Sequence, residues 1–291
     1  MLSADEARLL DGLALGAANA GTVASASGLR RARTRGVGVE FHEYRHYEPG
    51  DDPRSIDWTV EARLDQLVVR VSRAEGELRL HLLIDVSESM SIGTPSKLSC
   101  AAKLAAALSY VAIERRDAAG MATFGEGVRT FMAPAAGRGQ LFRMLEALRS
   151  MTTQGRSSMN DALLHYGAAV RGPGLAVVVS DFFEPGGGLQ GLRYLLHRGL
   201  TPAVVQVIAP EEWDPAVGEA TEIVDVEEPA RRLVANAAML LEYRSRLEQH
   251  VTELRTFCLT HRLPWVQLDS SASFKSQLAQ LEASGIFAAV G

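Results

Sequence analysis

The stretch Leu80-His81-Leu82-Leu83-Ile84-Asp85-Val86-Ser87-Glu88-Ser89-Met90 decides how this chain reads. Its opening residues form an apolar run of strand length that stops on an aspartate. Immediately after it, Leu98, Ala101, Leu104, Leu108 and Val111 fall on one stripe of a helix reaching Arg116. A buried strand followed by an amphipathic helix is one half of a parallel βα repeat.

Outward from that stretch the alternation continues. Residues 120–124 and 128–132 read as strands flanking the turn Gly125-Glu126-Gly127, and helices are predicted over 140–150 and 160–170. The run 175–180 is too short and too rich in valine for a helix, so it reads as another buried strand. A helix at 189–197 leads through Gly199 and Pro202 into a strand at 203–208. Leu240, Tyr243, Leu247, Val251, Leu254 and Cys258 mark a long helix over 238–261, closed by Pro264. A final strand at 265–268 and a final helix at 274–281 follow. Two short β runs around Glu228-Pro229 predict a β-hairpin inserted at about 221–234. Strands alternating with helices predict an α/β fold, a doubly wound and mostly parallel sheet with helices on both faces.

The first 75 residues differ in character. A helix is predicted over 1–20, then a small, Ser-rich loop at 21–28 and a basic cluster of Arg30, Arg31, Arg33 and Arg35. The expected division is therefore 1–75, an N-terminal segment packing on the core through Ile56 and Trp58, and 76–291, the α/β domain. Composition narrows the classes. Of 291 residues, 47% are hydrophobic and 22% charged, which argues against global disorder. Thirty basic against 35 acidic residues leave a net charge of −5, which argues against nucleic acid as a partner and leaves the Arg cluster as a solvated surface run. Two cysteines, Cys100 and Cys258, exclude a disulfide scaffold and a Cys-built zinc site; both fall on apolar helical stripes as packing residues. No apolar run approaches the ~20 residues of a spanning helix, so no membrane insertion is expected. Asp5 and Glu6 stand where an export signal carries positive charge, which predicts a cytoplasmic protein.

The chemistry concentrates where strands end. Open α/β sheets bind ligands outside the carboxyl ends of their strands. Asp85, Ser87 and Ser89, spaced by two, place three oxygens on one side of an extended turn. A second strand end supplies Asp181, and the loop Gly155-Arg156-Ser157-Ser158 ahead of a helix offers another hydroxyl. Carboxylates and hydroxyls suit a hard divalent cation, Mg²⁺ or Mn²⁺. The bland alternative makes these Ser and Asp residues helix caps. Elsewhere, Asp51, Asp52, Arg54 and Asp57 read as a turn with ion-pair partners, and His42 and His46 lie in an extended segment where four apart does not face one metal. Neither a G-x-S-x-G elbow nor a phosphate-binding P-loop exists, so serine hydrolysis of that type and intrinsic ATP hydrolysis lack support.

These residues resemble the metal-ion-dependent adhesion site of von Willebrand factor A-like domains. Asp85, Ser87 and Ser89 match its first motif and Asp181 its last, and Ser157 stands where that site usually has Thr. A longer resemblance covers about residue 28 to the end. Gly36-Val37-Gly38-Val39-Glu40-Phe41, Glu43-Tyr44-Arg45-His46-Tyr47-Glu48-Pro49-Gly50-Asp51-Asp52, Arg54-Ser55-Ile56-Asp57-Trp58 and Ala62-Arg63 are similar to the signature of the bacterial domain-of-unknown-function 58 family. The resemblance implies a metal set of Asp85, Ser87, Ser89, Ser157 and Asp181. It implies a protein-interaction module, not an enzyme, that binds a partner's carboxylate, with a MoxR-type AAA+ ATPase as partner. The alternative is a Mg²⁺-dependent phosphoesterase or nuclease using Asp85 and Asp181, against which no nearby base other than Glu88 is available.

Overall fold

The computed structural model describes residues 3–16, 43–46, 68–71, 78–184, 186–215, 222–224, 232–234 and 237–289. In chain order it contains α1 (Ala4–Leu9), β1 (Leu13–Leu15), β2 (Glu43–His46), β3 (Val68–Val71), β4 (Arg79–Asp85) and α2 (Lys97–Glu114). Next come β5 (Ala118–Phe124), β6 (Val128–Ala135), α3 (Arg138–Arg149), α4 (Met159–Ala169), β7 (Gly174–Ser180), α5 (Leu189–His197) and β8 (Leu200–Ile208). The chain continues with α6 (Pro210–Trp213), β9 (Glu222–Val224), β10 (Arg232–Val234), α7 (Ala237–Thr260), β11 (Trp265–Asp269), α8 (Phe274–Ala283) and β12 (Phe287–Ala289).

The central sheet has six strands in the order β11-β8-β7-β4-β5-β6. Every neighbouring pair is parallel except β5 with β6. The chain lays down β4, adds β5 and β6 on one side, then returns to add β7, β8 and β11 on the other. Period-2 alternation along the buried strands supplies two apolar faces. Leu82, Ile84, Val177, Val179, Val205 and Val207 join the core under α2 and α8, whereas Leu83, Ala176, Val178 and Val204 join the core under α4, α5 and α7. This is the doubly wound α/β architecture expected from the sequence, and the hairpin expected at 221–234 is the antiparallel pair β9–β10.

Two local expectations are corrected. The N-terminal helix ends at Leu9, because Gly12 adopts φ 87° and turns the chain into β1, which pairs antiparallel with β12 near the other end. The strand expected from residue 203 begins at Leu200 and includes Pro202. That proline is tolerated because β11 pairs with β8 only from Val204 onward, leaving Pro202 flanked on the β7 side alone.

The chain divides into two compact units, residues 1–23 with 77–290, and residues 24–76. The helix at the start of the chain thus groups with the α/β unit. In the smaller unit β2 and β3 pair antiparallel, from Glu43 opposite Val71 to His46 opposite Val68. Arg30–Arg35, Ile56, Trp58 and the acidic residues at 51, 52 and 57 lie outside the described residues. Cys100 and Cys258 are both free and buried.

Candidate metal centre

Register along the β4–β7 pair builds the site. Ile84 faces Val179, so the next residues of the two strands, Asp85 and Ser180-Asp181, emerge side by side at the carboxyl edge. This is the point where strand order reverses direction, the ligand crevice of open α/β sheets.

After Val86 the chain tightens into a 3-10 turn, Glu88–Ser91, anchored by the fully buried Met90. The turn sets the Ser87 and Ser89 hydroxyls 3.1 Å apart, within hydrogen-bonding reach. Backbone bonds then sew the loop before α4 onto this turn. Gln154 N–H donates to the Val86 carbonyl at 2.9 Å, and Glu88 N–H donates to the Gly155 carbonyl at 2.8 Å. Gly155 turns the loop there with φ 70°. Ser157 is thereby delivered to the strand end, where its hydroxyl donates to Asp85 Oδ2 at 3.2 Å.

Asp85 is wholly buried. Its Oδ1 accepts the Ser87 N–H at 2.8 Å, and its Oδ2 also accepts the Ser180 hydroxyl at 2.7 Å. Burial pushes the Asp85 carboxyl up to about 6, and the like charge of Asp181 pushes the same way. Hydrogen bonds from Ser180 and Ser87 oppose both. Asp181 is bound differently. Its Oδ1 accepts the Phe183 N–H at 3.1 Å, its Oδ2 accepts the Lys97 ammonium at 2.6 Å, and its carbonyl accepts from Gln206 Nε2 at 3.1 Å. Lys97, the first residue of α2, also ion-pairs with Glu212 of α6. Glu212 in turn accepts the Ala209 N–H at 2.9 Å. Burial raises the Glu212 carboxyl above its ordinary range, with Lys97 opposing.

The helix-cap alternative finds no support at Asp85, since Ser96 caps α2, its hydroxyl accepting the Ser99 N–H at 3.2 Å. Of the five residues singled out in the sequence, Asp85 and Ser157 are in direct contact, Ser87 and Ser89 are in direct contact, and Asp181 lies close enough for its charge to act on Asp85. Sequence reasoning missed Ser180, Lys97 and Glu212. Ser180 ends the same apolar run that flags Asp181. Lys97 precedes Ala101, Leu104 and Leu108 at helical spacing, which places it on the buried face rather than the wet one. The donor set is all oxygen, carboxylates and hydroxyls, the chemistry of a hard cation such as Mg²⁺. Among the described residues no three His, Cys, Asp or Glu side chains gather as a metal-binding group, so a divalent ion at this cluster would need the serine oxygens as well as the carboxylates. A groove of about 720 Å³ beside α7, lined by Arg193, Glu248, Phe257 and His261 among others, shares no residue with this cluster.

Fold and cluster together define a class: doubly wound α/β proteins with an oxygen-rich site at the switch point of the sheet. The chain belongs to the DUF58 family of proteins of unknown function, whose profile matches residues 43–256. Uncharacterized proteins of Mycobacterium bovis and Mycobacterium tuberculosis are 32% identical to it over 197 residues, 66% of this chain and 60% of theirs. The chain thus spans about 60% of the length of the curated relatives it matches. Among solved structures, it is similar to the conserved hypothetical protein BatB of Bacteroides thetaiotaomicron, at 18% identity over 72% of this chain and 98% of that one, with a TM-score of 0.46. The SpRpn10 VWA domain is 12% identical over 69% of this chain and 93% of its own, with a TM-score of 0.39. No helix among the described residues is long and apolar enough to cross a membrane.

Proposed function

We propose that this chain is a metal-dependent protein-interaction module of the cytoplasm, an adaptor or co-chaperone of a MoxR-type AAA+ ATPase. The observation that carries the reading is the convergence of Ser87, Ser157 and Ser180 on one buried carboxylate, Asp85, beside a second, Asp181. In this reading Ser87, Ser89 and Ser157 hold Mg²⁺ or Mn²⁺ through their hydroxyls, with Asp85 and Asp181 direct or through water. A divalent ion held largely by neutral hydroxyls keeps enough charge to attract a partner's carboxylate.

The test is capture of partners from native lysate in Mg²⁺ and again in EDTA, for the parent and for Asp85→Ala. An AAA+ ATPase retained by the parent in Mg²⁺, released by EDTA and never retained by the variant is the expected result. Retention that ignores both EDTA and Asp85→Ala refutes the metal-dependent reading. Turnover of generic phosphoesters in Mg²⁺, lost in Asp85→Ala, would instead assign an enzyme. The accompanying stabilisation is small: at an ion concentration equal to Kd the native state gains only about 0.4 kcal/mol.

A further inference from the structure

Lys97 carries a second layer of meaning at this site. Lysine is almost never fully buried unless paired, and the Lys97 side chain has no exposed surface at all. It reaches the cluster from the first turn of α2, donates to Asp181 Oδ2 at 2.6 Å and to Glu212, and stands 5.3 Å from the Phe183 ring centre. The remaining Asp181 oxygen accepts a backbone N–H from Phe183. Both Asp181 oxygens are therefore engaged, one of them by a full positive charge.

We infer that Lys97 is the built-in counter-cation of the cluster, holding Asp181 and Glu212 in the metal-free protein and weakening the site's hold on a divalent ion. The inference rests on the divalent-ion reading of the cluster. An ion drawing on Asp181 must share that carboxylate with an ammonium already in place, and two cations at such range in a buried site repel strongly. Buried acids left without a cation are costly, so Lys97 also makes the metal-free state tenable. The effect on ion affinity separates this role from that of a mere structural strut. Removing a strut loosens the site and weakens metal binding, whereas removing a counter-cation strengthens it.

The experiment is calorimetric titration of the full chain with Mn²⁺, for the parent, Lys97→Met and Lys97→Arg, with thermal melts in EDTA and in Mn²⁺. Lys97→Met is expected to bind Mn²⁺ at least about tenfold more tightly than the parent, because one nearby positive charge is gone. Lys97→Arg keeps the charge and should stay near the parent affinity. Adding Asp85→Ala to Lys97→Met should abolish the gain, which locates the ion at the cluster. In EDTA Lys97→Met should melt below the parent, and Mn²⁺ should raise its melting temperature by more than it raises the parent's. If Lys97→Met does not fold in EDTA, Lys97→Met combined with Glu212→Gln removes one charge of each sign and should bind more tightly than Glu212→Gln alone. A parent that binds Mn²⁺ while the Lys97→Met proteins bind equally or less tightly overturns the role of Lys97 and spares the divalent-ion reading. A parent that fails to bind while Lys97→Met binds supports Lys97 and refutes the ion as a resident of the natural chain. If neither binds, both fall.

Discussion

Replacing Ser180 by alanine removes a single oxygen, yet the structure gives that oxygen two jobs. It donates to Asp85 Oδ2 at 2.7 Å and accepts the Phe182 N–H at 2.9 Å, both in fully buried surroundings. Phe182 holds φ 62°, a left-handed conformation that a bulky residue adopts only under constraint, and the Ser180 bond supplies part of that constraint. Losing a hydrogen bond to a carboxylate costs about 1.5–3 kcal/mol, and orphaning a buried N–H costs about 1–3 kcal/mol. Asp85 keeps its bonds from Ser87 and Ser157, which limits the first loss. Ser180→Ala should therefore destabilise by about 3 kcal/mol, a melting shift of roughly 6–12 °C for a unit of this size. Urea unfolding followed by far-UV circular dichroism in EDTA at pH 7 measures it. Ser157→Ala is the control, since its hydroxyl sits farther from Asp85, at 3.2 Å, and only partly buried. A Ser180→Ala protein as stable as the Ser157→Ala control would refute the assignment of Ser180 as the keystone between the two strand ends.

Two further outcomes follow from the packing beneath the site. His81 shares a 2.8 Å hydrogen bond with the Tyr166 hydroxyl, and burial, helped by the charge of Arg79, lowers its pKa to about 4. Because the folded value lies below the unfolded 6.5, the contribution is complete above pH 6.5 and is lost as pH falls toward 4, in all about 3 kcal/mol. Urea midpoints at pH 7 and 4.5 should show that loss in the parent and much less of it in His81→Gln; parallel curves would refute it. A Cβ on Gly174 would lie 2.6 Å from the Arg79 carbonyl oxygen and 2.7 Å from His81 Nε2, so Gly174→Ala should cost about 2 kcal/mol, whereas Gly127→Ala, with open space around it, should melt with the parent.

The α/β alternation was legible because buried parallel strands are short unbroken apolar runs, and 80–86 and 175–180 have no competing helical reading. Asp85 and Asp181 were legible for a related reason: an acid that ends such a run lies at a sheet edge. What escaped was chemistry assembled across distance in the chain. Lys97 meets Asp181 over 84 residues and Glu212 over 115, separations at which sequence spacing carries no signal. A lysine opening a helix reads as a solvated residue unless its phase against Ala101 and Leu104 is followed. Glu212 sits in the four-residue α6, too short to announce itself by periodicity. At the N-terminus, apolar content at helical spacing masked a single glycine, Gly12, whose positive φ ends α1 early and starts β1.

The pairing of Leu13 with Ala289 and Leu15 with Phe287 has a consequence for biosynthesis. Leu13 and Leu15 are buried in the finished core, and the strand that closes their ladder lies far downstream of them in the chain. At ordinary ribosomal speed the roughly 270 intervening residues take roughly 15–55 s to emerge. Throughout that interval a newborn Leu-Ala-Leu segment has no ladder partner and waits as an open edge. The central strands, completed earlier, can assemble in the meantime, so joining β1 to β12 follows the central sheet, and it is slow because its contacts are so distant along the chain.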